Sequence, residues 1–107
     1  MARKQLKTLT EPMYYILLNL IEPIHGYGIM KKIEDSTDGR VKVGAGTLYS
    51  LLSRFLKEDI VSIVSVKDGK KTYCLTEKGK SVLQDEYDRL KLLVIDGNIA
   101  LGEGSHE

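Results

Sequence analysis

The stretch that decides the fold spans residues 44–59 and reads GAGTLYSLLSRFLKED. Its apolar side chains recur at helical spacing on one side: Leu48, Leu51, Leu52, Phe55 and Leu56. That spacing predicts a helix with a single buried stripe. No acid precedes the last turn of this helix. The opposite face carries mainly hydroxyl side chains and one arginine: Thr47, Tyr49, Ser50, Ser53 and Arg54. A face of this kind suits a surface that lies against phosphates and base edges.

Length and composition restrict the class of protein. A chain of 107 residues with 42% apolar and 29% charged residues is predicted to form one globular domain with a modest core. Because the net charge is only +1, a nucleic-acid site must come from local clustering of basic residues. The single cysteine, Cys74, excludes a disulfide framework and favours a cytoplasmic location. The polar start and the short apolar run 13–21 predict neither a signal peptide nor a membrane span.

Two helices are predicted before this stretch. The residues TEP at 10–12 form a helix start, and the apolar pattern continues to about Ile21. A second helix is predicted over residues 27–35, entered through two glycines whose spacing does not match a phosphate-binding loop. His25, just before it, is interpreted as a turn or capping residue because no second metal ligand stands near it.

Two basic segments flank these helices. The alternating residues 40–43 (RVKV) predict a short strand. The N-terminal segment contains three basic residues, Arg3, Lys4 and Lys7. It allows two interpretations: a frayed end, or an arm that packs on a partner or touches the DNA backbone.

A β-hairpin is predicted after the central helix. Residues 60–66 are rich in β-branched side chains, and residues 71–76 form the returning strand. The connecting residues 67–70 (KDGK) place Asp-Gly at the centre of the turn, where positive φ is favoured. The tip is basic, with Lys67, Lys70 and Lys71 against one aspartate.

A long last helix is predicted to begin at Thr76 as the N-cap. Four of its apolar residues follow heptad spacing: Leu83, Tyr87, Leu90 and Val94. Leu92, Leu93 and Ile95 widen this apolar stripe. Two sides of this helix are therefore apolar. One side can cover the domain, and the second needs another partner. Asp96-Gly97 is predicted to break or end the helix.

The order of elements predicts an α+β fold that is mainly α. Three helices followed by a hairpin make a winged helix, a variant of the helix-turn-helix, with an added C-terminal helix. Residues 1–76 are predicted to form the winged-helix DNA-binding domain. Residues 77–107 would form the C-terminal dimerisation helix and tail of the same structural unit.

The chain resembles a known family, the PadR-like transcriptional regulators. Three segments carry the resemblance: HGYGIMKKIE at 25–34, GTLYSLLSRFLKEDIV at 46–61 and KKTYCLTEKGKSVL at 70–83. The combination of HGY, GTLY and YxLTxKG at these spacings is specific, and the likeness covers about residues 10–95. It resembles the small members that have one C-terminal helix.

The resemblance implies a function and roles for single residues. It implies a homodimeric DNA-binding regulator, usually a repressor, in which the GTLY helix reads DNA and the wing contacts backbone. These roles fall on Thr47, Tyr49, Ser50 and Arg54 of the helix and on Lys70 and Lys71 of the wing. Ser53 on the same helix face and Lys67 at the same basic tip are further candidate DNA contacts. The heptad spacing of the last helix predicts the dimer interface at Leu83, Tyr87, Leu90 and Val94.

The sequence departs from the family pattern at several positions. Ala45 stands where the family commonly has proline, and Asp59 stands where it often has glycine. Some small members bind flat aromatic molecules between tryptophans at the dimer centre, and this chain has no tryptophan. A pocket for a small hydrophobic or aromatic effector would use Tyr14, Tyr15 or Tyr87.

The leading hypothesis is a sequence-specific transcriptional regulator that binds double-stranded DNA as a homodimer on a pseudo-palindromic operator, with release by an effector. The alternative is a winged-helix protein-interaction module, since a fold does not determine a function. An enzyme is disfavoured because two histidines, one strand cysteine and no clustered carboxylates make no nucleophile–base set. No cofactor, metal site, catalytic residue or membrane association is expected.

Overall fold

The structure is a computed structural model and describes residues 8–102 of the chain. The elements follow the order α1 (Glu11–Leu18), β1 (Ile24–His25), α2 (Gly26–Ser36), α3 (Ala45–Lys57), β2 (Val61–Lys67), β3 (Lys70–Leu75) and α4 (Glu77–Leu101). The basic N-terminal residues Arg3, Lys4 and Lys7 and the tail after residue 102 lie outside the described residues. This order confirms the predicted winged helix with an added C-terminal helix.

The core lies around the apolar stripe of α3. Leu48, Leu52 and Phe55 are almost fully buried, as the spacing predicts, while Leu51 and Leu56 pack at the edge of the core. Their partners come from α1 and its C-terminal flank and from α2: Ile16, Leu17, Leu20, Ile29 and Ile33. Burying each such side chain stabilises the fold by about 1.5–3 kcal/mol. The stripe therefore orients α3 and leaves its other face outward.

Helix α1 is shorter than predicted. It begins after Thr10, whose hydroxyl accepts a hydrogen bond from the Met13 backbone at 3.4 Å. It ends at Leu18, because the next residue, Asn19, turns its amide back to donate to the Tyr15 carbonyl at 2.9 Å. Ile21, expected to point inward, is consequently 55% exposed.

The predicted strand at residues 40–43 is wrong. The alternation itself is present, since Val41 and Val43 are buried in the core while Arg40 and Lys42 are exposed. The segment is nevertheless a loop, held by the buried Thr37 hydroxyl, which donates to the Ile33 carbonyl at 2.7 Å and accepts from the Val41 N–H at 3.1 Å. Alternating burial therefore arose here without a strand partner.

A three-stranded antiparallel sheet forms in the order β1-β3-β2. The hairpin β2–β3 confirms the predicted wing, and its two turn residues Asp68 and Gly69 have φ of 53° and 77°, as a hairpin turn with two left-handed residues requires. Strand β1 was not predicted, because two residues after a proline give no alternating pattern. It pairs Ile24 with Tyr73 and brings the start of α2 beside the wing.

Helix α4 continues through Asp96-Gly97 to Leu101, so the predicted break at Asp96-Gly97 is wrong. A glycine inside a helix costs only about 1 kcal/mol relative to alanine, and this position meets no obstacle. The helix ends instead at Gly102, which adopts the left-handed conformation with φ 77°. At the other end, the Thr76 hydroxyl caps the helix as predicted, accepting from the Gly79 N–H at 2.9 Å.

The glycine of the YxLTxKG motif has a packing role. The first turn of α4 lies directly on the backbone before β2, and a Cβ on Gly79 would collide with the Ile60 carbonyl oxygen. Two hydrogen bonds anchor the same junction: the Thr76 N–H donates to the Ile60 carbonyl at 3.0 Å, and its hydroxyl donates to the Asp59 carbonyl at 2.6 Å. The direction of α4 relative to the winged helix is therefore set at this contact.

The end of α3 places Asp59 in a backbone conformation that favours glycine. Its φ is 63°, in the left-handed region. The Ile60 N–H donates to the Phe55 carbonyl at 2.9 Å and the Asp59 N–H to the Leu56 carbonyl at 3.2 Å, the bonding pattern of a Schellman motif. Asp59 thus occupies a glycine position and holds a negative charge at the negative end of the helix dipole.

Candidate nucleic-acid interface and apolar helix face

The outer face of α3 presents a row of small polar side chains. Thr47, Ser50 and Ser53 are exposed, and Tyr49 is 47% exposed. Each hydroxyl can donate and accept a hydrogen bond, as base edges and phosphate oxygens require. Because the opposite stripe is buried, the face that the sequence singled out is the one that α3 turns to solvent.

Arg54, the one arginine on this face, has a partner at the end of the helix. Its Nε lies 3.1 Å from Oε2 of Glu58, one turn further on, and its side chain is 39% exposed. The carboxylate offsets part of the arginine charge. A role for Arg54 in contacting DNA stays a prediction, and it would need the guanidinium to exchange this ion pair for a phosphate or a base.

The wing concentrates positive charge at its tip. Lys67, Lys70 and Lys71 are all exposed, and Lys67 stands directly opposite Lys70 in the hairpin register. Like charges in directly opposed positions destabilise a hairpin. An arrangement of this kind becomes favourable when an anion lies between or above the lysines, and the DNA backbone supplies such anions.

A cleft of about 400 Å³ joins the wing to the two helices beside it. It is lined by residues from the start of α2, from α3 and from the hairpin: His25, Gly26, Tyr27, Tyr49, Gly69, Lys70, Lys71 and Tyr73. Three of the predicted site residues, Tyr49, Lys70 and Lys71, therefore meet at one place. Burial raises the pKa of Tyr73 above its ordinary value of 10.0, and the neighbouring Tyr49 adds to that shift.

His25 and Tyr27 of this cleft were missed by the sequence reasoning. His25 is exposed, caps α2 without a side-chain hydrogen bond and belongs to β1, so its capping role is confirmed only for its backbone. Tyr27 is 63% exposed. The HGY motif held the signal, but nothing in the chain before β3 indicates that this segment lies beside the hairpin.

Among residues 8–102, His, Cys, Asp and Glu side chains form no group of three or more that could hold a metal ion. In the same part of the chain, every helix is too short or too polar to cross a membrane.

The second surface is the apolar face of α4, and one predicted interface residue of this helix is buried within the protomer. Leu83 is 8% exposed and lies in the protomer's own core, because the stripe that continues from Gly79 packs α4 onto the domain. Leu83 therefore contributes to the core of the protomer, and its role as a dimer contact stays a prediction. Tyr87 and Val94 are exposed at 47% and 61%, and Leu90 is half-buried, so these three stay predictions.

The exposed apolar surface of α4 is wider than the predicted heptad seam. Further large apolar side chains are at least half exposed on several sides of its C-terminal half: Leu92, Leu93, Ile95, Ile99 and Leu101. Exposed apolar surface of this extent is typical of interaction sites. Because four consecutive residues from 92 to 95 are apolar and exposed, one flat contact would not cover them all.

A shallow groove of about 340 Å³ separates α1 from this part of α4, and Tyr14, Tyr87, Leu90, Lys91, Val94 and Ile95 line it. Burial raises the pKa of Tyr14 above 10.0, with a further contribution from Tyr87. The Lys91 ammonium lies 5.0 Å from the centroid of the Tyr87 ring, a cation–π geometry. Tyr15 lies outside the groove lining, and its hydroxyl accepts a 3.5 Å hydrogen bond from Arg40.

Glu86 is a buried carboxylate on the inner side of α4. It is 4% exposed and accepts two hydrogen bonds from Arg89, at 3.0 and 2.6 Å. The Arg89 hydrogen bonds lower the pKa of Glu86 below its ordinary 4.5, assisted by the Leu9 backbone N–H and opposed by burial. Glu86 therefore links Leu9, two residues before α1, to the N-terminal half of α4.

The fold is a winged helix with a long C-terminal helix whose second half exposes apolar side chains. The sequence model of the transcriptional regulator PadR-like family matches residues 16–85. This match covers more than half of the chain, which therefore belongs to the PadR-like family of transcriptional regulators. Members of this family are regulators and not enzymes.

Solved structures agree with the assignment. A PadR-like transcription factor from Bacteroides fragilis is 33% identical with a TM-score of 0.72, covering 83% of this chain and 88% of its own. A transcriptional regulator from Clostridium thermocellum is 26% identical with a TM-score of 0.72, covering 79% and 89%.

A curated relative is much longer than this chain. The transcriptional regulator YqjI of Escherichia coli strain K12 is 29% identical over 69 residues, which are 64% of this chain and 33% of YqjI. A 37.1 kDa protein in a transposon of Streptomyces fradiae is 34% identical over 64 residues and is covered to 18%. The chain thus spans a third or less of the length of these curated relatives.

Proposed function

We propose that this protein is a sequence-specific DNA-binding transcriptional regulator that represses transcription as a homodimer. The observation that carries the proposal is the outward hydroxyl face of α3 beside the lysines of the wing. A major groove accommodates one α-helix, so α3 would read base edges through Thr47, Ser50 and Ser53. The wing lysines would contact phosphates, adding affinity without sequence preference.

The apolar face of α4 supports the homodimer. Tyr87, Leu90 and Val94 would pack against the same face of a second copy, since a two-fold interface buries one patch against itself. The further exposed residues, from Leu92 to Leu101, widen the surface that the second copy would cover. Two α3 helices would then enter successive major grooves of a pseudo-palindromic operator, roughly one helical turn apart. Such a protein acts where the DNA is, which makes the cytoplasm its proposed location.

The groove between α1 and α4 supports a small hydrophobic or aromatic effector. Tyr14 and Tyr87 supply aromatic surface, and Lys91 supplies a positive charge beside it. Because this groove adjoins the proposed dimer surface, its occupant would contact both copies. A molecule that binds better to one spacing of the two α3 helices would shift the dimer away from DNA by its differential affinity.

The test measures binding of the full chain to an operator selected from a random duplex pool and to a scrambled duplex. Thr47→Ala should weaken operator binding roughly three- to tenfold, the value of one hydrogen bond, and leave scrambled DNA unchanged. Lys70→Ala with Lys71→Ala should weaken binding to both duplexes. It should also lower the salt slope by about 0.9 for each phosphate that the lysines no longer neutralise.

Ser81→Ala is the matched control, because it removes an exposed hydroxyl from α4 instead of α3. It should bind both duplexes like wild type. Wild-type binding by Thr47→Ala and by the double lysine variant would reject the assignment of α3 and the wing as the DNA surface.

A protein-interaction module is the second candidate function. Two observations favour it: the net charge is only +1, and Glu58 offsets the charge of Arg54 on the outer face of α3. Salt separates the two functions. A module would form a complex with another protein that is insensitive to salt, and it would show no preference between operator and scrambled DNA.

A further inference from the structure

Gly26, the middle residue of the HGY motif, is buried at the first position of α2. Its backbone does not explain the glycine. Among the described residues the glycines with positive φ are Gly39, Gly69 and Gly102, so alanine could adopt the backbone conformation of Gly26 without strain. Alanine is also the better helix former. The reason for glycine must therefore lie in the space around it.

That space is occupied by Tyr49 of α3. A Cβ on Gly26 would lie 2.7 Å from Cζ and 3.0 Å from Cε1 of the Tyr49 ring, and would collide with its hydroxyl oxygen. The ring therefore lies across the start of α2, in contact with the backbone of Gly26. The glycine of HGY and the tyrosine of GTLY, far apart in the sequence, form one contact.

This contact decides where the Tyr49 hydroxyl lies. The ring is 47% exposed, and it borders the cleft that Lys70 and Lys71 line from the wing. A ring displaced from Gly26 would have to move outward along α3 or further into the cleft. Either movement would change the distance between the hydroxyl and any phosphate held by the wing lysines.

We propose that Gly26 is a positioning residue for DNA binding, because its missing side chain holds the Tyr49 ring at the cleft between α3 and the wing. The inference rests on the proposed function, with Tyr49 as the group that touches DNA. Gly26 itself would make no direct contact with bases. Its effect on affinity should pass entirely through Tyr49.

The experiment is a double-mutant cycle of operator binding with Gly26→Ala and Tyr49→Ala. Gly26→Ala should weaken binding roughly three- to tenfold, about one hydrogen bond, without lowering the midpoint of urea unfolding. In the Tyr49→Ala background, the same substitution should change affinity less than about twofold, since noninteracting changes would add instead.

Gly28→Ala is the matched control. It is the same substitution two residues further along the same helix, and the atoms nearest to its Cβ would belong to Ile24, at 2.9 Å, and His25, at 3.3 Å, instead of Tyr49. Operator affinity of folded Gly28→Ala should equal that of wild type. Equal losses from Gly26→Ala with and without Tyr49 would overturn the positioning role, as would wild-type affinity of Gly26→Ala. Failure of the wild type to prefer its operator would instead overturn the proposed function, and the positioning role with it.

Discussion

Helices α3 and α4 are both amphipathic, but they expose opposite kinds of surface. Helix α3 buries Leu48, Leu52 and Phe55 and turns hydroxyls to solvent. Helix α4 buries a stripe through Gly79, Leu83 and Glu86 near its start, and its C-terminal half then exposes apolar side chains. The two helices share a way of attaching to the domain and differ in what they offer outward.

The difference teaches which kind of partner each surface suits. Exposed hydroxyls cost nothing in water and gain hydrogen bonds from a polar partner such as a duplex. Exposed leucines, isoleucines and valines remain in contact with water until another apolar surface covers them. A dimeric DNA-binding regulator would need both surfaces, one to bind DNA and one to hold its two copies together.

The largest expected effect comes from placing the same charge on each surface. Val94→Glu should dissociate the proposed dimer at micromolar concentration, because a carboxylate would be buried in an apolar seam. Ser53→Glu should leave the dimer intact and weaken operator binding roughly 100-fold or more, since like charges at an interface cost several kcal/mol. Sedimentation velocity and operator binding, measured on both variants, separate the two surfaces.

Both positions are exposed in the protomer, so circular dichroism of each variant should match wild type. Gln84→Glu puts the same charge on the exposed polar side of α4 and should change neither measurement. A Val94→Glu variant that still sediments as a dimer would show that the interface does not lie on α4. Full operator binding by Ser53→Glu would show that α3 does not contact the duplex.

An intermediate effect is expected on the inner side of α4, where a charge is already present and paired. Glu86→Gln should lower the free energy of unfolding at pH 7 by about 1.5–3 kcal/mol, the range for hydrogen bonds to a charged group. The folded-state pKa of Glu86 lies below 4.5, so its contribution is present above that pH and is lost as the pH falls through the folded pKa. Urea unfolding at fixed protein concentration across pH 3–7 measures both.

The variant should therefore lose less stability than wild type when the pH is lowered. Glu77→Gln is the control, since its side chain is 93% exposed in a pair with Lys80 and should contribute little. Parallel pH profiles for wild type and Glu86→Gln would mean that the pair with Arg89 does not stabilise the attachment of α4.

The smallest effect is expected at the end of α3. Asp59→Gly should raise the free energy of unfolding by about 1 kcal/mol, because glycine adopts the left-handed conformation without a side-chain penalty. Asp59→Ala should stabilise less than Asp59→Gly, since both remove the same unfavourable charge but alanine keeps the penalty of the left-handed conformation. Thermal unfolding measures both, and operator affinity should stay unchanged. Equal stability of the glycine and alanine variants would show that the left-handed backbone conformation at residue 59 does not lower the free energy of unfolding.

Much of this molecule could be predicted from local patterns. The stripe of α3, the Asp-Gly turn and the cap at Thr76 follow from residues close in sequence, and the family follows from three short motifs at specific spacings. The errors arose where local pattern and distant contact disagree. Residues 40–43 alternate without a strand partner, and α4 passes through Gly97 because a lone glycine only weakens a helix.

The sequence by itself determined that α3 has an apolar stripe and a hydroxyl face, since helical spacing alone separates the two. It also determined that the last helix has more apolar surface than one contact can cover. Only the tertiary structure decided that Leu83 belongs to the core, that β1 brings the HGY segment to the wing, and that Gly26 lies under Tyr49. Periodicity reports which side of an element is apolar, whereas the neighbour that covers it is set by contacts between residues far apart in the chain.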